Sequence, residues 1–329
     1  MRSVEERLSI LGGAVVVGSG VLWNVPAINS IAALAGIVAL ILIVSRLGYA
    51  RAFWNSLIAF LLASGIGSLT NGYPEGLYSG IVYGILVVAP AFLMGWACRK
   101  FHEPHFVVGF GLIPYAIFLL AMAYFYAELM RNPEFYISGF KSEIELAINS
   151  NPDLLKLLKQ NYGADNNVVD TFLTELGNFV KEVLKILPGA IMTLMLGVIV
   201  FSFSIAGHLA AKMGIIISRF RPYYQWKASG WWLLPTIAGL IPVVFRMEEL
   251  WFYTGINILI VTGHVYMVIG LAIMEAFFKR ALVQTPIKII FYLILILAGP
   301  ISMVFLAILG LSDTKFDFKR EIEEFENKE

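Results

Sequence analysis

Apolar residues run along this chain in long unbroken stretches, set apart by short polar clusters. The stretches are 8–23, 28–45, 53–69, 77–97, 106–127, 186–211, 230–246, 251–275 and 287–310. A helix crossing about 30 Å of hydrocarbon needs roughly 17 to 25 such residues. The pattern therefore predicts an all-α polytopic transmembrane helical bundle of nine spans. Four stretches (8–23, 28–45, 53–69 and 230–246) are short. Residues 8–45 would also fit one span with a re-entrant piece at Asn24-Val25-Pro26, which would give eight. The runs are continuous rather than alternating at every second residue, which excludes a β-barrel.

One region departs from this pattern. Residues 128–185 are too polar to insert and too long for an ordinary loop. Asn151-Pro152-Asp153 has the form of a helix start, a capping Asn with Pro in the first turn. Leu154, Leu155, Leu157 and Leu158 follow as an apolar stripe. A second start at Asn166/Asn167 leads into Val168, Val169, Phe172, Leu173, Leu176 and Phe179, spaced for an amphipathic helix. That helix is expected to continue through Leu187-Pro188 into the sixth span, kinked at the proline. The segment reads as an extracytoplasmic helical insertion, either a cap over a cavity or a surface hairpin. Otherwise residues 1–329 read as a single membrane domain, closing in a charged tail at 311–329.

Composition agrees with the pattern. Hydrophobic residues make up 59% of the 329 and charged residues 14%, with mean hydropathy +0.78. A soluble domain is roughly half apolar and about a quarter charged. The net charge of +1 gives no reason to expect nucleic acid as a partner; the bilayer is the expected one. A single cysteine, Cys98, excludes an intrachain disulfide and a thiolate metal cluster. Met1 to Arg7 resembles the charged start of a signal peptide, but no small-x-small cleavage site precedes Asn24, so an uncleaved first helix is expected.

The distribution of charge orients the spans. Basic residues fall at Arg2 and Arg7, at Arg46 and Arg51, and at Arg99 and Lys100. They recur at Lys212, Arg219, Arg221 and Lys227, and at Lys279, Arg280 and Lys288. The intervening loops 24–27 and 70–76 carry no Lys or Arg, and 247–250 carries only Glu248 and Glu249. By the positive-inside rule the N-terminus is cytoplasmic, in a bacterial inner (cytoplasmic) membrane, and nine spans would put the tail outside, although 313–329 mixes both signs and fits either face.

Motifs that would name an enzyme are missing. There is no G-x-x-x-x-G-K-[ST] and no H-E-x-x-H, so the chain is not expected to be an enzyme, and no catalytic residue, cofactor or metal is assigned. Among the four histidines, His102 and His105 flank Glu103; this fits a metal pair or, equally, a polar interfacial turn beside Pro104. Ionisable groups inside a span are functional candidates because burying them is expensive. His264 lies mid-span, Asn257 two turns before it on much the same face, and Asn55 near the start of the third span. These three are the candidate ligand-binding residues, with interhelical hydrogen bonding as the plainer alternative. Glu275 and Arg246 sit at span ends. With no carboxylate near a midplane, any solute would move passively or through an energising partner. Gly80 and Gly84, Ala14 and Gly18, and Ala35 and Ala39 have the small-x-x-x-small spacing that permits close helix approach. Pro90, Pro114, Pro188, Pro235, Pro242 and Pro300 lie inside spans.

The second half carries a resemblance. Ile186-Leu187-Pro188 opens a span ending in Ala211-Lys212-Met213-Gly214. A basic loop with Phe220-Arg221-Pro222 and Trp226 follows, then Gly270-Leu271-Ala272, and the chain closes with Leu309-Gly310-Leu311-Ser312-Asp313-Thr314-Lys315-Phe316-Asp317-Phe318-Lys319. This order resembles the YybS-like family of bacterial membrane proteins of unknown function over residues 186–320. Gly230-Trp231-Trp232 departs from the Trp-x-x-Pro spacing expected before Pro235. The resemblance implies a remote relation to the substrate-binding membrane subunits of energy-coupling-factor transporters, which bind a small solute and dock on a coupling subunit. The expected function is a small-solute-binding transport component without its own ATPase. The alternative is a non-transporting envelope scaffold or assembly partner that docks other envelope proteins.

Overall fold

The computed structural model describes residues 4–101, 103–131, 133–151, 153, 156–157, 160, 168–217, 220–316 and 318. Among these, every regular element is helical and no strand forms. After Val4–Arg7 and a π-helical segment Leu8–Gly12 come α1 (Gly13–Leu22), α2 (Asn29–Leu47) and α3 (Tyr49–Asn71). Next are α4 (Tyr73–Tyr83), a π-helical segment Gly84–Val88 and α5 (Ala89–Lys100), then α6 (Pro104–Arg131) and α7 (Pro133–Asn149). The rest are α8 (Val168–Lys212), α9 (Leu233–Val244), α10 (Glu249–Arg280), α11 (Thr285–Leu297) and α12 (Pro300–Phe316).

The all-α polytopic bundle is present, but not with nine spans. Six helices among the described residues are long and apolar enough to cross a membrane, or seven if one bent pair counts as a span. The apolar stretch 8–23 is helical from Leu8 to Leu22, the π-helical segment leading directly into the ten residues of α1, and this run is too short to count as a span. The stretch 230–246 becomes the 12-residue α9, about 18 Å long at 1.5 Å per residue. The stretch 287–310 breaks at Ala298–Gly299, and α11 and α12 meet at a bend of 113°. Hydropathy registers apolar composition, and a break that keeps composition apolar is invisible to it. Pro300 lacks an N–H, and Gly299 takes φ +56°, which only glycine adopts easily. The Ser302 hydroxyl lies 2.6 Å from the Leu295 carbonyl and 2.7 Å from that of Gly299, covering acceptors the break would strand.

By internal contacts the chain divides into two units. The first comprises Met1–Phe118, Met192–Ser229 and His264–Glu329, and the second Leu119–Ile191 and Gly230–Gly263. In the first, α2 is the central element: residues 36 to 44 are all buried, with Ile37, Leu40, Ile41 and Ile43 shielded completely. That unbroken burial leaves no polar stripe, as expected of a helix enclosed by other helices. Asn24, in the turn after α1, donates to the Ala63 carbonyl at 2.8 Å and accepts from Ser79 at 2.7 Å. The turn is thereby tied to α3 and α4. Gly270 of α10 and Gly310 of α12 face each other's helix, and a Cβ on either would run into the carbonyl of Leu306 or Tyr266. Only glycine permits so close an approach.

In the second unit, α7 and the start of α8 pack through Ile144 and Ile148 against Val169 and Phe172. The Asn151 side chain accepts from the Asp153 N–H at 3.2 Å, as the capping pattern anticipates. Pro152, Leu154, Leu155, Leu158 and the expected start at Asn166/Asn167 lie outside the described residues, as do Asp317 and residues 319–329 of the tail. α8 runs unbroken through Pro188 for 45 residues, roughly 68 Å and about twice the thickness of a bilayer core.

Candidate ligand-binding site

The sequence placed its three ligand candidates on two spans, and the structure finds all three half-buried. The Asn257 amide is committed to backbone. Its Oδ1 accepts from the Gly189 N–H at 2.7 Å, and its Nδ2 donates to the carbonyls of Lys185 and Tyr253, each at 2.8 Å. This ties α10 to α8 one residue beyond Pro188. Asn55 packs against α1, so that a Cβ at Gly13 would lie 3.1 Å from its Oδ1. His264 falls in the first unit and Asn257 in the second. His105 Nδ1 is 3.4 Å from Glu103, both exposed, and His102 lies outside the described residues.

None of the three lines the cavity of about 1150 Å³ that opens in the first unit. Its walls come from the end of α2, the end of α5, the last turns of α8 and the loop that follows. The exposed basic groups are Arg99, Arg221 and His208, with Ser45 and Ser204 beside them. The deeper wall is aromatic and apolar: Phe203, Phe220, Trp226 and Ile217, with buried Cys98. No carboxylate lines it among the described residues.

The loop carrying Arg221 is held in place. Phe220 meets Phe203 edge-on at 5.1 Å and lies 4.7 Å from Trp226, and Tyr223 meets Trp226 edge-on at 5.1 Å. The Trp226 indole N–H donates to the Arg221 carbonyl at 2.8 Å, which closes the turn. The Tyr223 hydroxyl donates to the Val268 carbonyl at 2.9 Å, and Lys279 stands 4.1 Å over the Tyr224 ring. Burial, reinforced by the neighbouring Tyr292 and Glu275, pushes the Tyr223 phenol up, so it stays a protonated donor at neutral pH. Nearby in the chain, Glu275 accepts from Lys288 at 2.6 Å and from Tyr292 at 2.8 Å.

A different arrangement holds the second unit's charges. Lys185, whose side chain is 7% exposed, reaches Glu182 at 2.6 Å and Glu249 at 2.8 Å and sits 4.6 Å over the Tyr253 ring. Tyr253 also donates to Glu182 at 2.6 Å. Each negative charge has the lysine as counter-ion, so the group ties α8 to α10.

Sequence reasoning missed the cavity because it searched inside the spans. The signal was present: Arg99, Phe220, Arg221 and Trp226 were all noted, the arginine pair as orienting charges and the loop as a mark of resemblance. Nothing in the sequence placed the end of α5 beside the loop after α8.

An all-helical fold with six or seven apolar spans and a pocket between helix ends defines a multi-pass membrane protein. The chain belongs to the family described as "Predicted membrane protein (DUF2232)", which it matches over residues 14–314. No curated protein and no solved structure matches it.

Proposed function

We propose that this chain is a small-solute-binding component of a membrane transport system, with no ATPase of its own. The observation that carries this reading is the cavity of about 1150 Å³ between the ends of α2, α5 and α8. Binding pockets of roughly 300–1,000 Å³ hold drug-sized ligands, so a cavity of this size accommodates one with water to spare. Its combination of aromatic wall and few convergent polar groups is the usual chemistry of such sites. The absence of a P-loop motif from the sequence supports assigning energy input to a partner. The YybS-like closing segment supports the remote relation to substrate-binding transport subunits. The basic residues around the cavity, Arg99, Lys100, Lys212 and Arg221, support its lying on the cytoplasmic side of a bacterial inner membrane, and a cytoplasmic N-terminus further requires residues 8–23 to cross.

The test is purification of the tagged full chain in mild detergent, followed by native mass spectrometry. The expected result is one small molecule retained at near-unit stoichiometry, with a membrane subunit and an ATPase among the recovered proteins. Recovery of envelope-building proteins, with no small molecule bound, would replace transport by the scaffold reading.

A further inference from the structure

We infer that the cavity takes an anionic amphiphile, a phosphate-type oxyanion carried on an apolar body. This rests on the solute-binding reading and adds the chemical class of the ligand. Two guanidinium groups, Arg99 and Arg221, stand at one cavity with His208, and among the described residues no carboxylate lines it. Among the described residues neither arginine forms an ion pair; Arg99 lies 5.5 Å from the Tyr49 ring centroid. Three other basic groups do have carboxylate partners. Lys185 has two glutamates, Lys288 has Glu275, and Arg46 lies 3.0 Å from Glu5. Cations left without counter-ions at a concave site focus a positive potential and raise the local concentration of anions. Arginine's planar fork matches an oxyanion with two parallel hydrogen bonds, which lysine's point charge does not.

The apolar half of the ligand follows from the other wall. Phe203 and Ile217 are buried, and Phe220 and Trp226 form a locked aromatic face beside them. Ile216, at the same cavity, is 99% exposed. A bare inorganic anion would leave this surface unused. A ligand with its charge toward the arginines and its apolar body along Phe203, Phe220 and Trp226 uses both walls. Such chemistry arrives from two sources, a phosphate-bearing lipid in the bilayer or a soluble phosphate ester with an aromatic or aliphatic body.

The experiment is calorimetric titration of the detergent-purified full chain with four probes. These are dodecyl phosphate, phenyl phosphate, inorganic phosphate and dodecyltrimethylammonium. Saturable binding of the two organic phosphates is expected, with inorganic phosphate much weaker. The variant Arg99→Gln/Arg221→Gln should lose about 10- to 100-fold in affinity for both, as expected when charge-assisted hydrogen bonds are removed. Its thermal unfolding should match the parent, since among the described residues neither side chain has an ion-pair partner to lose. Tighter binding of dodecyl phosphate assigns a membrane-borne source; tighter binding of phenyl phosphate assigns a soluble one. Equal affinity for the ammonium probe, or affinity unchanged in the double variant, overturns the inference. A neutral or cationic molecule retained natively by the parent would sink the anion assignment and leave solute binding standing. No binding by any probe, with nothing retained natively, removes both.

Discussion

Asn257 binds the backbone of a neighbouring helix at the turn where a proline removes a donor. Pro188 has no N–H, and its ring crowds the carbonyl four residues earlier. One residue on, the Asn257 amide meets both the Gly189 N–H and the Lys185 carbonyl. We expect Asn257→Ala to lower stability by about 1–3 kcal/mol through those stranded groups, read as a reduced melting temperature in detergent. An unchanged Tm would mean that water or another side chain replaces the amide. Lys185 makes a second, asymmetric prediction. Its own side chain is buried, whereas Glu182 and Glu249 are more than half exposed. Lys185→Met leaves two carboxylates that can hydrate, while Glu182→Gln/Glu249→Gln leaves a buried ammonium without its two carboxylate counter-ions. The glutamine pair should therefore be the less stable, by about 3 kcal/mol, in parallel thermal melts. The reverse order would show that the lysine reaches water when released.

Among the helices, close approach depends on glycine. Gly270 and Gly310 each rest on the other helix's backbone, so Gly310→Leu must drive α10 and α12 apart. Overpacking of this kind costs about 1–3 kcal/mol and should appear as aggregation in size-exclusion chromatography. A monodisperse Gly310→Leu profile would show that the helix pair is free to separate. The same elements show what was legible beforehand. Hydrophobic run length located α2, α3, α6, α8 and α10, and the continuation of α8 through Pro188 could be read from its unbroken amphipathic spacing. Gly80 was marked as a small-residue contact, and it does face α3 at Ser64. Run length failed where geometry changes without a change in polarity, at Gly299, whereas Tyr73–Lys100 is one span straight through the π-helical segment Gly84–Val88, as the stretch 77–97 predicts. The cavity was illegible for another reason: its arginines lie more than a hundred residues apart, and only tertiary packing brings them to one wall.

At the scale of the molecule, the bend between α11 and α12 fixes more than a local angle. A turn of 113° exceeds a right angle, so α12 travels back toward the side from which α11 came. The pair is thus either a broken span or a re-entrant loop, and only the second adds no crossing to the parity of the chain. If the pair is a re-entrant loop, Lys315, near the end of α12, returns to the face on which α10 ends at Lys279 and Arg280; if it is a broken span, it lies on the opposite face. The nine-span count had put the tail outside. A C-terminal green fluorescent protein fusion should fluoresce, and a C-terminal alkaline phosphatase fusion should be inactive. The opposite pair of results would make the bent helices a true crossing. In a re-entrant loop α11 begins and α12 ends on one face, so the side reported by a C-terminal fusion would also be the side on which α10 ends.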